Sequence, residues 1–272
     1  MKSNVTVIIT LYKTPLTKIE NLRNYKNFNV IFFEQQSDGS FKKYLQKILK
    51  YRFKYYHSYK NIGLSKSSNF LLSKVKTKYC LFTQPDINIT NNTIKILKKV
   101  MKKNIIFASP KYVKRINQTN YSDKKPRSTT VKNLNMACVL MDVSKIKKIG
   151  FFDEDFFLYW EDIFLMKKIN QTNYKMIKAN NAFASHESSN SSEDTYKTRY
   201  IRELNFMYGE LLYDYKLGKL RFMKISRKLF QNIILFFFNI VIFQLKRAYK
   251  NFAKTFGIIK FIRFYLLSII KY

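Results

Sequence analysis

NVTVIITLY occupies Asn4–Tyr12 and NFNVIFFEQQSDGS occupies Asn27–Ser40. Each run is apolar, rich in β-branched or aromatic residues, and then turns polar. A strand covered on both faces has no solvent side to alternate with, so it reads as a continuous apolar run. Between them, residues 14–25 can form a short helix with Thr17 as a candidate cap. The pattern repeats outward. Phe41–Tyr51 reads as a helix, 53–63 as a third strand and Leu64–Lys74 as a helix. Residues 78–89 read as a fourth strand stopped by Pro85, Thr90–Lys103 as a helix and 105–113 as a fifth strand. Strand and helix in alternation predict a mostly parallel sheet flanked by helices, with right-handed crossovers. Farther on, 117–132 is a polar, basic loop, 135–143 a buried strand and 144–150 a short turn or helix. A helix is expected over 161–170, a strand from Met176 that fades into a Ser-rich loop, and an amphipathic helix over Thr195–Leu217.

Composition bounds the reading. A chain of 272 residues with 46% hydrophobic and 17% aromatic content buries enough apolar surface to fold, which excludes a disordered chain. Six Gly and four Pro exclude collagen-like or Pro-rich architectures. Lys and Arg number 51 against 17 Asp and Glu, a net charge of +34 that suits nucleic acid or an anionic membrane. Lys, Asn, Ile, Phe and Tyr are all abundant, as AT-rich codon usage produces, so the distribution of charge says more than its total. No acid follows Asp214, whereas thirteen Lys and Arg do. Cys80 and Cys138 lie in apolar runs, as buried small hydrophobes do. With an N-terminal apolar run too short for a secretory signal, they predict a reducing, cytosolic compartment.

Ligands of such sheets collect beyond the C-terminal ends of the strands. The polar residues there are Thr10, Tyr12, Glu34, Asn61, Gly63 and Asp86. The chain has no GxGxxG after its first strand and no GxxxxGK[ST], which argues against dinucleotide and P-loop sites. Asp86, in TQPDIN, suits a hard divalent cation shared with substrate phosphates, though Pro-Asp is also a common turn pair. His186, one of two His, is a ligand or base candidate, or a solvated loop residue. His57, inside YYHSY, fits a packed strand position. Phe151–Phe164, FFDEDFFLYWEDIF, crowds five acids among aromatics. Glu161 and Asp162 open a helix, where its dipole favours acids. An aromatic cup also raises a carboxylate's pKa and makes it a general base.

These residues resemble a family. IGFFDEDFFLYWEDIFLMKKI (149–169) is similar to the GFDE-x-FF-x-Y-x-ED segment of family 2 glycosyltransferases of GT-A fold, in the rhamnosyltransferase-like branch that builds surface polysaccharide. VTVIITLYK, VIFFEQQSDGS, NIGLSKSSN and FTQPDINI resemble, in order, the opening strand, the nucleotide motif, the N-x-G loop and the DxD-type motif. RELNFMYGELLYDYKLG resembles the helix after the core, so the likeness runs over about 4–218. The resemblance implies a GT-A domain over 1–218, with Thr10, Tyr12, Glu34, Asn61, Gly63 and Asp86 binding the nucleotide-sugar. It implies Mg²⁺ or Mn²⁺ on Asp86 and His186, Asp162 as the base of an inverting transfer, and Glu161 and Trp160 at a glycan or lipid-linked acceptor. Departures are Gln84 for one acid of the metal motif, Glu34 for the usual Asp, and Phe164 for a further Asp. The lack of a QxxRW motif argues against a processive synthase.

The remaining 219–272 forms a basic, apolar helical extension. Leu229–Leu245 carries no charge but holds Gln231, Asn232, Asn239 and Gln244. With GIIKFIRFYLLSIIKY it predicts in-plane, peripheral association with the cytoplasmic face of an anionic membrane, with a spanning or re-entrant helix, or an ordinary helix packed on the core, as the alternatives. The competing function is a basic nucleic-acid- or anionic-lipid-binding protein on a degenerate transferase fold. It leaves the acid-rich segment unexplained, so no specific nucleic acid partner is expected.

Overall fold

The computed structural model describes residues 4–116, 127–186 and 191–270. The chain divides into two compact units: residues 1–153 with 165–193, and residues 154–164 with 194–272.

The first unit is a nine-stranded sheet with flanking helices. Its first strands are β1 (Val5–Tyr12), β2 (Asn29–Gln35), β3 (Lys54–Ser58) and β4 (Tyr79–Thr83). They lie in the order β3-β2-β1-β4, all parallel. Their crossovers carry helices α1 (Leu16–Ile19), α2 (Phe41–Leu49) and α3 (Leu64–Ser73). Val5, Val7, Ile9 and Leu11 of β1 enter one core and Ile8 enters the other, so the strand is covered on both faces.

Beyond β4 the sheet mixes directions. Strands β5 (Ile87–Ile89), β6 (Ile105–Val113), β7 (Ser128–Val131), β8 (Cys138–Asp142) and β9 (Lys175–His186) complete it, with α4 (Asn91–Val100) between β5 and β6. Helix α5 (Val143–Ile149) follows β8, and α6 (Glu161–Ile169) precedes β9. β8 is antiparallel to β4 and β6, and β9 is parallel to β6 but antiparallel to β5 and β7. The all-parallel run therefore ends at β4, and beyond it only the β6–β9 pair is parallel.

Several boundaries differ from the sequence reading, each for a local reason. The helix expected over 14–25 is a short α1 followed by a 3-10 stretch, Glu20–Tyr25; the N-cap of α1 is Pro15, with no side-chain cap, and Thr17 lies inside the helix. The run 78–89 is two strands, because Pro85 lacks the N–H a ladder needs and turns the chain between them. Ser128–Val131, read as loop, is an edge strand whose polarity its exposure explains. The rest of that loop, 117–126, and the Ser-rich 187–190 lie outside the described residues. Cys80 and Cys138 are buried and free, and burial pushes both thiols up, leaving them unreactive.

One side chain ties two distant motifs together. Asn69, on α3, donates to the Phe152 carbonyl at 2.9 Å and accepts from the Phe152 N–H at 3.0 Å. It anchors the start of the acidic segment to the helix that follows the N-x-G loop.

The second unit contains three long helices, α7 (Tyr196–Lys216), α8 (Phe222–Val241) and α9 (Leu245–Ile270). Thr195 caps α7 in a reciprocal box with Thr198. Tyr208, Leu211 and Leu212 of α7 pack with Ile258 and Phe261 of α9. The helices approach so closely at Gly257 that a Cβ there would lie 2.3 Å from the Leu204 carbonyl oxygen. Among the described residues no helix is long and apolar enough to cross a membrane.

Replacing Asn69 with Ala removes both hydrogen bonds and strands a backbone donor and acceptor at Phe152. A loss of about 1–3 kcal/mol in unfolding free energy is expected in denaturant titration. A change under about 0.5 kcal/mol would show the clamp to be dispensable.

Candidate active site

The first unit gathers the residues predicted to face a nucleotide at its C-terminal strand ends. Thr10 stands near the end of β1, and its hydroxyl lies 3.5 Å from that of Ser67 in the first turn of α3. Tyr12, the last residue of β1, donates its hydroxyl to Gln36 Oε1 at 3.3 Å. Glu34 pairs with Leu11 across the β1–β2 ladder and accepts a short hydrogen bond from the Tyr55 hydroxyl. Asn61 closes its own turn by accepting from the Gly63 N–H at 3.0 Å. Gly63 holds φ 87°, a region other residues avoid, and so opens α3. Gln35 was not singled out by its sequence, yet it is buried and its Oε1 accepts from the Ile62 N–H at 3.0 Å. A buried Gln closing an apolar strand is the signal that marks it.

Asp86 follows β4, and its side chain is 1% exposed. The β5–β9 register pairs its neighbour Ile87 with His186, which brings the imidazole to the carboxylate. His186 Nε2 lies 3.3 Å from Asp86 Oδ2, within ion-pair range but outside hydrogen-bond geometry. Both Asp86 oxygens are thus buried without a donor. An unsatisfied buried carboxylate is costly, and a hard cation is a partner that relieves it. The fit is partial: among the described residues no cluster of three His, Cys, Asp or Glu side chains could hold a metal. Asp86 and His186 could supply two ligands, and phosphate oxygens and water the rest. A groove of about 640 Å³ lined by Arg23, Lys50, Asn88 and Asn91, among others, contains none of the predicted site residues.

In the second unit Tyr159 and Trp160 hold φ 66° and 69°, successive left-handed residues that are strained without glycine. The Trp160 ring packs at 5.8 Å from Phe206 and 5.4 Å from Tyr213, and its Nε1 is buried without a partner. What admits the ring is Gly209 on α7: a Cβ there would lie 2.9 Å from Trp160 Cδ1 and 3.1 Å from the Tyr159 carbonyl oxygen. A glycine inside an otherwise strong helix was the available signal.

Glu161 and Asp162 then begin α6. Glu161 is buried and its Oε2 has no partner. Asp162 accepts from the Ile163 N–H at 2.8 Å. Burial raises the pKa of both, and the Asp162 charge raises that of Glu161 further. Two adjacent desolvated carboxylates hold protons more tightly than free ones, and they titrate as a pair. Nearby, Lys216 pairs with Asp155 at 2.6 Å, fixing the acidic segment to α7.

Two outcomes follow for this segment. Gly209→Ala should shift the emission of Trp160, the protein's only tryptophan. Overpacking should cost about 1–3 kcal/mol, against a helix-propensity gain of about 1 kcal/mol. Unchanged emission and stability would remove the packing argument. For Glu161 the linkage runs as for any acid with a raised folded pKa: its relative stability is present below the unfolded pKa and lost as pH rises through the folded one. Glu161→Gln should therefore stabilise the fold by about 1 kcal/mol or more near neutral pH, and the gain should vanish near pH 4. Denaturant melts at the two pH values check this.

Residues 10–166, more than half of the chain, match the family model "Glycosyl transferase family 2". No curated protein matches the chain. Among solved structures, it is similar to the mannosyltransferase PcManGT from Pyrobaculum calidifontis in complex with GDP-Man and Mn²⁺, with TM-score 0.56 and 14% identity over 78% of this chain and 65% of that one. It is similar to GalNAc-T7 with UDP, GalNAc and Mn²⁺, with TM-score 0.52 and 12% identity over 76% of this chain and 47% of that one. It is similar to S. aureus TarS 1-349 in complex with UDP, with TM-score 0.51 and 14% identity over 96% and 89%. The chain thus spans less than two thirds of the first two structures, and at these identities the likeness is one of fold. With the family model running from the end of β1 through the acid pair, this chain belongs to glycosyl transferase family 2 and has the GT-A fold.

Proposed function

We infer that the protein is an inverting transferase that moves one sugar from a nucleoside-diphosphate sugar to a lipid-linked or surface polysaccharide acceptor, in the rhamnosyltransferase-like branch. The observation that carries this is Asp86, buried with both oxygens lacking a donor and flanked by His186 at 3.3 Å. Such a carboxylate suits a diphosphate-bridging cation, and the complexes of PcManGT and GalNAc-T7 each contain a nucleotide and Mn²⁺. Mg²⁺ or Mn²⁺, when bound, would neutralise charge on the departing diphosphate. Thr10, Tyr12, Glu34, Asn61 and Gly63 hold the nucleotide beside it. Residues 1–218 act as the transferase domain, and 219–272 as a peripheral tail at the cytoplasmic membrane face.

Asp162 is the general base in this reading. Inversion needs a base that removes the acceptor hydroxyl proton while the diphosphate leaves on the other side. A carboxylate with a raised pKa is better matched to that task at neutral pH than a solvated one. Glu161, held protonated by burial, donates to an acceptor oxygen, and the Trp160 ring and Nε1 bind the acceptor sugar.

Calorimetric titration with UDP, dTDP and GDP, each with and without Mn²⁺, tests the donor side. One nucleotide should bind with metal-dependent micromolar affinity, and Asp86→Ala should abolish it. Asp162→Asn should lower turnover by roughly 10²–10⁴-fold while leaving nucleotide affinity intact. Full activity of Asp162→Asn would sink the assignment of the base.

A further inference from the structure

Helix α8 has its polarity reversed. Its buried residues are Ile225, Asn232 and Asn239, spaced seven apart on one face. Phe236, on the same side, meets Phe252 of α9 with ring centroids 5.8 Å apart. The two Asn amides donate to backbone carbonyls one turn back, Asn232 to Lys228 at 2.7 Å and Asn239 to Leu235 at 2.6 Å. The first half of α9 likewise buries small or polar residues, Ala248, Asn251 and Ala253. The outward side is apolar: Phe230 is 68% exposed, Phe237 61%, Phe238 55% and Val241 73%. Water selects the opposite arrangement. Small and amide residues inside with aromatics and aliphatics outside is how helices pack when lipid surrounds them.

Charge names the occupant. Arg227 precedes the apolar stretch, Lys246 and Arg247 follow it, all three are exposed, and no acid occurs after Asp214. Arg227 also lines a groove of about 590 Å³ with Phe230, Gln231, Ile234 and Leu235, apolar walls beside one cation. Cations ringing an apolar face match anionic headgroups above acyl chains. The basic segment 257–270 differs in that it anchors in the core with α7, where Ile258 and Phe261 are fully buried, although Leu266, Leu267 and Ile270 farther along are exposed.

We propose that the outer face of α8, from Phe230 to Val241, is the element by which this chain enters an anionic membrane, lying in the plane and embedded about 5–10 Å. α8 is tied directly to α7 by ion pairs, Lys224 with Glu210 and Asp214 and Lys228 with Glu210, and Phe236 packs it on α9. The proposal rests on the peripheral-tail reading above and assigns it to one helix.

Flotation of the full chain with vesicles tests it, using equal parts phosphatidylglycerol and phosphatidylcholine against phosphatidylcholine alone. The wild-type chain should float with the anionic vesicles. Phe237→Ser combined with Phe238→Ser should weaken that by tenfold or more, with nucleotide binding unchanged. Leu266→Ser combined with Leu267→Ser on α9 should leave it within about twofold. Hydrogen exchange of the wild-type chain, which needs no variant, should slow over 230–241 when vesicles are added. If the wild-type chain floats, the α8 variant floats equally and protection falls on 257–270, the tail still binds membrane and α8 is the wrong element. If the wild-type chain does not float, the peripheral-tail reading fails and this assignment with it. A lipid-free dimer that the α8 variant dissociates without affecting flotation would make the face a self-association surface and overturn the proposal.

Discussion

The structure depends on burying β1 from both sides. Val7, Ile8 and Ile9 are fully excluded from solvent, and their backbone is paired on both edges, with β2 and with β4. A strand so placed leaves no polar group unsatisfied and removes apolar surface on two faces at once. Its direction sets the parallel ladders, and the parallel ladders require helical crossovers that cover both faces. All the C-terminal ends of β1, β2 and β3 then point to one edge, which is why Thr10, Tyr12, Glu34 and the Asn61–Gly63 turn converge there.

The sheet changes direction at β8, and that change brings Asp86 and His186 together. Antiparallel pairing of β5 with β9 carries His186 across a hundred residues of chain to Asp86. A buried carboxylate with no donor is tolerated where a ligand completes it. The acid pair in the other unit obeys the same logic by a different route: Glu161 and Asp162 are desolvated and keep raised pKa values. Strain at Tyr159 and Trp160, admitted by Gly209, sets how α6 begins. Energy is held at both places in arrangements that folding alone would not favour, as functional sites show.

The helical unit poses the inverse problem. It has a conventional core between α7 and α9, where Tyr208, Leu211, Ile258 and Phe261 meet. Against that core α8 is turned inside out. One tail therefore combines a buried apolar interface between α7 and α9 with an exposed apolar face on α8.

Sequence alone determined the alternation of apolar strands and helices, the position of the acid pair at a helix start, and the charge-free stretch of the tail. Each is a local pattern, set by side-chain period and by the chemistry of a few neighbouring residues, so it survives without knowledge of the fold. Pro85 could be read as ending a strand, but that Ile87–Ile89 pairs elsewhere in the sheet could not. Nor could the strand at Ser128–Val131, whose polar residues look like loop until an edge pairing is known. Tertiary structure decided how near His186 comes to Asp86, that Asn69 clamps Phe152, that Gly209 seats Trp160, and which tail helix is buried. Those outcomes hang on register and on packing between segments far apart in the chain, where a one-residue slip exchanges the inside for the outside. A hydrophobic pattern states that a face is buried, and only the partner that covers it says by what.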